Sequence, residues 1–515
     1  MYSSHDSLTD THHALSQDSK EKKYMTQSGK RESLHTLENF ITTHMERWRT
    51  PGLAIAIIKE GEVLYTQGFG KRNLDQQLDV TPETRFAIGS CTKAFTTSAM
   101  ALLVDEGKLD WDRPVKEYLP YFKLHDSYAS EHVTPRDLVT HRTGLPRHEL
   151  LWYTSALSRE ELVKRLQYLP PNKSFRQGWQ YQNLMYVAAG HLVEVVAGQS
   201  WESFVQQRLF APLGMTDSVF DAESARATGN YASPYRQVGE DLEEMQWYSN
   251  WQTLGPAGSI HTNIIDMSKW VLFHLQQGVY DRQRLISQKQ MQEMHTPQVL
   301  KPEEHKYQEL FYDSYALGWS VNTYRGETLV RHGGNIDGFS SLTAFMPEKQ
   351  LGLVVLTNHN SGPVQSLVAY YALDCLLELD TVDWHTRFEQ EYRLSATEKE
   401  QRRTAHKAAH IAETHLSHGL EAYTGVFEHP GYGCISITQE DTRLRLHYNE
   451  LDFELQHYHY DSFELRSTNY DPNVNLICSF VTDARGEISS CLLPLEESLP
   501  AFSFVRRQAE QAPTR

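Results

Sequence analysis

In the stretch Phe86-Ala87-Ile88-Gly89-Ser90-Cys91-Thr92-Lys93-Ala94-Phe95, a serine is followed three residues later by a lysine, and an apolar helical run begins at once. Positions three apart share a helix face, so the Lys93 ammonium falls beside the Ser90 hydroxyl. The start of the helix adds free N–H groups and a positive dipole end for any anion formed there. A nucleophilic serine further needs a base and a pair of oxyanion donors. The spacing alone is a weak signal, because a chain of 515 residues holds on the order of one such pattern by chance. Ser19 and Lys22 repeat it in a polar tail without apolar periodicity. A serine capping a buried helix beside a solvated lysine has the same signature.

Two clusters offer the missing parts. Tyr181 and Asn183 fall just before a long apolar run from Leu184 to Val196 that ends at Gly198. A phenol with a free pKa of about 10 is a poor base unless cations stabilise its phenolate. Lys93 supplies such a charge, and the two groups then share their protons. Asn183 suits a substrate carbonyl or the orientation of Lys93. Tyr248-Ser249-Asn250 repeats the pattern in a polar loop and ranks second. The other cluster is His332-Gly333-Gly334-Asn335, between two strand-like runs. Its glycines let a backbone lie close against a substrate, an N–H just after them suits half of an oxyanion hole with the Ser90 N–H, and His332 can donate to a substrate carbonyl or to Tyr181. His429-Pro430-Gly431 is a similar turn in the wrong part of the chain.

The elements that must position these residues follow from periodicity. An amphipathic helix from Leu34 leads to Pro51; a hairpin follows, Leu53 to Ile58 and Val63 to Tyr65, around Lys59-Glu60-Gly61-Glu62. Phe95, Ala99, Leu102 and Leu103 recur at helical spacing until Gly107. Helices and loops then alternate to about residue 320, after which strands are expected at Thr328–His332, Phe339–Phe345 and Leu351–Thr357, followed by an apolar helix through Leu367, Tyr371, Leu373 and Leu376. Strands at both ends with helices between predict one antiparallel sheet closed by the two ends of an α+β domain. Residues 385–419 read as a charged helical linker. Beyond it, short alternating strands at Cys434–Ile437, Leu444–Leu446, Phe453–Leu455, Phe463–Leu465 and Leu476–Phe480 predict a small all-β barrel or sandwich. The expected division is a disordered tail over 1–30, a main domain over 31–384, the linker, and a barrel over 420–515.

The formal net charge of −17 excludes a nucleic-acid partner, which needs a basic face. No run approaches the roughly 20 apolar residues that span a bilayer, so no membrane partner is expected. Residues 1–30 lack the apolar segment of a secretory signal, with Met25 an alternative start, and the five cysteines show neither a disulfide framework nor a zinc spacing. A cytoplasmic protein without cofactor or metal is the expectation. His141 and His148 flank a glycine-proline turn and read as surface residues or residues behind the site; Trp152, Tyr153, Trp247 and Trp251 suit either a cleft wall or core packing.

Ser90-x-x-Lys93, Tyr181-x-Asn183 and His332-x-Gly334, in this order, resemble the three motifs of the serine beta-lactamase-like superfamily, nearest the class C beta-lactamases with their related esterases and D-aminopeptidases. Residues 134–146, Pro212-Leu213-Gly214-Met215 and Ala257-Gly258-Ser259-Ile260 resemble it too, and the C-terminal segment resembles the lipocalin-like barrels often appended to this family. The resemblance implies a beta-lactamase/transpeptidase-like fold, with an antiparallel sheet flanked by helices plus an all-helical region. It also implies Ser90 as acylated nucleophile, Lys93 as its activating partner, Tyr181 as base and then acid, and the Ser90 and Asn335 N–H groups as oxyanion donors. Asn183, Gly333 and Gly334 would line the substrate. The family's beta-lactamases and cell-wall peptidases usually carry lysine where His332 stands. The expected activity is therefore hydrolysis of small esters or amides through an acyl-enzyme, by an esterase or D-amino-acid-type peptidase. The alternatives are a silent ligand-binding protein and a true beta-lactamase or DD-peptidase. The barrel either shapes the active site or mediates assembly of a homo-oligomer.

Overall fold

The computed structural model describes residues 34–239, 241–247, 253–302, 306–360, 362–467 and 476–508. The expected tail, the Tyr248-Ser249-Asn250 pattern and Trp251 lie outside them. A nine-stranded sheet organises the larger part. Its spatial order is Val299–Leu300, Leu310–Tyr315, Ser320–Tyr324, Glu327–Ile336, Phe339–Met346, Leu351–Thr357, Gly52–Lys59, Glu62–Asn73 and Leu78–Asp79. The first long strand pairs antiparallel with Leu351–Thr357, with Ala56 opposite Val354, so the two ends of the domain close the sheet as expected.

Those two strands are apolar throughout because both of their faces are covered. Ala54, Ala56, Ile58, Val354 and Leu356 pack into the helical region, while Leu53, Ile55, Ile57, Leu353 and Val355 pack under the outer helices. The outer layer is a helix through 34–47, which seats Leu37, Ile41 and Met45, and the helix Val364–Leu376. Strands begin earlier than the alternation predicted: Leu310–Tyr315 lies in the stretch read as helix and loop. Its first half is largely exposed, Tyr312 has φ 54°, and the register slips between Phe311 and Ser314, so no clean two-residue period survives in the sequence.

Against the inner face lies the helix Ile264–Leu275, and behind it the helix Thr92–Asp105, buried on every side from Thr92 to Leu103. A helix so enclosed needs small or apolar side chains all round; Phe95 stacks on Trp270 at 3.8 Å. The helix Asn183–Ala197 crosses beside it, and Gly190 sits where the short helix Gly255–Gly258 comes closest. A Cβ at 190 would lie 2.0 Å from Pro256 Cγ.

A 25-residue helix, Trp384–Ala408, of which only Trp384 is buried, leads to a closed eight-stranded barrel running from Gly425–His429 to Phe502–Arg506. Inward positions such as Ile435, Ile437, Leu444, Leu446, Phe453 and Leu455 alternate with outward ones and fill it. Three of its strands, Gly425–His429, Ile488–Leu493 and Phe502–Arg506, were not read from the sequence. The barrel rests on the segment 148–154. The Tyr432 hydroxyl bonds His148 Nδ1 at 2.7 Å, Glu496 accepts the His148 N–H at 3.0 Å, and Asn449 donates to the Tyr153 carbonyl at 3.2 Å. Neither His141 nor His148 is a surface residue; both are fully buried, with left-handed backbones. Among the described residues no helix is long and apolar enough to cross a membrane.

Gly190→Ala forces overpacking against Pro256, for which about 1–3 kcal/mol of destabilisation is expected. Chemical denaturation measures it, and an unchanged midpoint would show that these two helices have slack.

Candidate active site

Ser90 lies in a single 3-10 turn, Gly89–Cys91, that leads directly into the buried helix. The turn is pinned from two directions. Ile88 donates to Ile260 O at 3.0 Å, and the Ser341 hydroxyl donates to Ile88 O at 2.8 Å. The Cys91 thiol donates to the His332 carbonyl at 3.1 Å. Strand Glu327–Ile336 presses on the turn so closely that a Cβ at Gly334 would stand 2.0 Å from Ile88 O. That approach explains a glycine at 334, where the sequence allowed only a general argument for close backbone.

Lys93 is fully buried one helix turn below Ser90. Its Nζ lies 2.9 Å from Ser90 Oγ, 2.8 Å from Asn183 Oδ1 and 2.9 Å from Ala257 O. All three partners are uncharged oxygens. Tyr181 enters from the loop before the helix Asn183–Ala197, which Gln182 caps by accepting the Leu184 N–H, and the Tyr181 hydroxyl lies 2.8 Å from Ser90 Oγ. Ser90, Lys93, Tyr181 and Asn183 thus meet in one hydrogen-bonded cluster, with Asn183 on the lysine. Ser90, Tyr181, Asn183 and the run His332 to Asn335 all line one cleft of about 730 Å³.

Electrostatics favours neutral groups here. Burial, then the Arg147 charge, lowers Lys93 well below the usual lysine range. Burial raises Tyr181 above the usual phenol range, outweighing its bond to Ser90. Both shifts run against a tyrosinate beside an ammonium, the pairing expected from sequence. Burial is the main cause that brings His332 down to about 3. Its ring does not bond Tyr181. Nε2 accepts from the Tyr315 hydroxyl at 2.8 Å, and Nδ1 donates to the Gly333 carbonyl at 2.7 Å.

Tyr315 and Arg147 escaped the sequence reading, and His141 takes the place behind the site that was one of its two readings. Tyr315 sits on the strand that was read as loop. The His141 ring packs 4.4 Å from Tyr181 and its Nδ1 accepts the Gln182 N–H at 3.0 Å. Arg147 lies 5.2 Å from the Tyr181 ring and donates from Nε to Glu149 at 2.9 Å. Its place in the turn before His148 carries no chemical signature of its own. Trp152 and Tyr153 line the cleft, whereas Trp247 packs against Phe339 and His261.

The family model described as Beta-lactamase matches residues 37–377, and one described as a domain of unknown function, DUF3471, matches 409–509. The unguisins hydrolase of Aspergillus campestris is 28% identical over 427 residues, covering 79% of this chain and 78% of its own length. The fold is similar to that of the octameric penicillin-binding protein homologue from Pyrococcus abyssi, with TM-score 0.59, 24% identity, and coverage of 92% of this chain and 100% of that one. It is also similar to D-amino acid amidase from Ochrobactrum anthropi SV3, with TM-score 0.57, 22% identity, and coverage of 67% and 98%.

Tyr315→Phe leaves the buried Nε2 of His332 without its donor, so a loss of about 1–3 kcal/mol is expected in urea denaturation. A loss under about 0.5 kcal/mol would mean that water or another group replaces the phenol.

Proposed function

The chain belongs to the beta-lactamase family, and from that premise we propose that it is a serine hydrolase acting through an acyl-enzyme on small ester or amide substrates. The observation that carries this reading is the placement of Ser90 Oγ within hydrogen-bond distance of both Lys93 Nζ and Tyr181 Oη. The names of the unguisins hydrolase and the D-amino acid amidase support a hydrolytic role. We assign residues 31–384 to the hydrolase unit, 385–419 to the linker and 420–515 to the barrel; the first family model falls within the hydrolase unit, and the second begins inside the assigned linker.

The neutral amine of Lys93 is the better base. Its two N–H bonds point to Asn183 Oδ1 and Ala257 O, which turns the lone pair toward Ser90 Oγ. In this scheme Lys93 takes the Ser90 proton as Oγ attacks the substrate carbonyl carbon, and the resulting ammonium then donates to all three oxygens. The Ser90 and Asn335 N–H groups receive the oxyanion. Tyr181, kept protonated by burial, gives its proton to the leaving alkoxide or amine, and the proton held by Lys93 restores it. Water then attacks the acyl-enzyme with the same groups in reverse, returning the acid product and free Ser90. A neutral His332 offers no fixed cation for a substrate carboxylate at the third motif, so beta-lactam turnover is expected to be weak.

Ser90→Ala is expected to lower kcat for a p-nitrophenyl ester by at least about 10³-fold and to abolish the mass adduct formed by a fluorophosphonate on the wild type. Retained turnover would point to a silent binding protein with incidental hydrolysis elsewhere. The pH dependence follows from the same charges. The base works when unprotonated, so kcat/KM rises with pH through the Lys93 pKa, which lies below 10.5. Arg147 is the largest charge lowering that value, so Arg147→Ala shifts this limb to higher pH; a limb that stays in place would remove Lys93 from the role.

A further inference from the structure

Asp337 and Gly338 form the two-residue turn that joins strands Glu327–Ile336 and Phe339–Met346. Asp337 is therefore only two residues, roughly 7 Å of strand, beyond Asn335, and its side chain lines the same cleft as Ser90. One carboxylate oxygen accepts from the Tyr153 hydroxyl at 3.0 Å. The other is buried and bonds no other residue among those described, with Asp337's own backbone N–H as the further donor beside the carboxylate. Buried acceptors of this kind are normally satisfied, and leaving one bare is costly. Burial raises the acid to about 6, with the Tyr153 bond the main opposing influence.

The remaining charged groups of the cleft have partners. Glu149 is held by Arg147, Arg331 donates from Nε to Asn322 at 2.9 Å, and Lys93 has its three oxygens. Among the carboxylates of this pocket, Asp337 is therefore the one with an unmet acceptor, and a positive N–H donor would meet it. Its surroundings suit one: Trp152, Tyr153 and Trp179 present aromatic surface to the same space, and aromatic faces attract an ammonium group. Tyr153 is also held firmly, with its hydroxyl on Asp337 and its carbonyl on Asn449 of the barrel at 3.2 Å.

We propose that the carboxylate of Asp337 receives a substrate ammonium group, so that the Ser90 site prefers amino-acid-type esters and amides with a free amino group over their N-acylated counterparts. The proposal rests on the hydrolase reading and names its substrate class. The ammonium donates one N–H to Asp337, and the scissile carbonyl lies against Ser90 and Asn335. The two anchor residues are two apart on one backbone, at most roughly 7 Å between their Cα atoms, so an amino group close to that carbonyl can reach the carboxylate.

The test compares alanine p-nitroanilide, in both enantiomers, with its N-acetyl derivative. Wild-type kcat/KM is expected to favour the free amine by at least about tenfold, and Asp337→Asn, which keeps the side chain's shape, to bring that ratio near one. Calorimetry on Ser90→Ala protein gives the comparison without turnover. Alanine amide should bind at least about tenfold more tightly than N-acetylalanine amide, and the added Asp337→Asn change should erase the difference. Equal affinities in the Ser90→Ala protein, or a wild-type ratio that Asp337→Asn leaves unaltered, overturn the proposal. Undiminished hydrolysis by Ser90→Ala overturns the hydrolase reading instead.

Discussion

The structure turns on one buried amine. Lys93 is removed from water and no carboxylate bonds it; its partners come from a 3-10 turn, a helix start and a short helix that are far apart in sequence. Burying a cation without a counter-charge costs several kcal/mol, and a lysine escapes most of that cost by giving up its proton. Close packing of the three segments therefore sets the proton state of Lys93. Gly190 and Gly334 matter to chemistry for this reason, although neither touches the amine. Each allows one segment to approach within a distance that a side chain would forbid.

How far the site was legible in the sequence follows from the range of the interactions. The Ser90–Lys93 pair is local, three residues on one helix face, and so it was readable. Tyr181 and Asn183 were readable because Gly198 and the long apolar run mark the helix they introduce. Tyr315 and Ala257 O were not. Tyr315 sits on a strand whose period is broken by a bulge, and a backbone carbonyl has no residue-type signature at all. The sheet was legible where both faces are covered, at Gly52–Lys59 and Leu351–Thr357, and obscure at its exposed edge. The proton states could not be read, because pKa shifts arise from burial, which spacing does not report. Sequence suggests the charges of free side chains; the folded cleft favours neutral ones.

The barrel bears on the same cleft. The segment 147–153 contributes Arg147, Glu149, Trp152 and Tyr153 to its wall, and the barrel residues Tyr432, Asn449 and Glu496 bond its neighbouring backbone and side chains. Of the two roles open to the barrel on sequence grounds, shaping the active site has these contacts behind it. A loop held by a rigid closed barrel loses less entropy on binding substrate than one that must be ordered at that moment. Arg147, whose charge depresses the Lys93 pKa, immediately precedes His148, which the barrel bonds.

A Ser90–Lys93–Tyr181 cluster that rests neutral also has a consequence for the reaction. On the proposed assignment, proton transfer from Ser90 to Lys93 creates an ammonium at the moment when attack creates an oxyanion on the substrate. The two charges appear together and a few Å apart, in surroundings of low dielectric where their attraction is much stronger than in water. A permanent cation at position 332 would lower the Lys93 pKa further and leave the resting cleft charged. The neutral, doubly bonded His332 avoids both effects and keeps its backbone strand against the Ser90 turn. The third motif is thus better matched to holding a neutral resting state than to gripping an anion. Recognition of substrate charge then falls to the far end of the same strand, where the carboxylate of Asp337 stands.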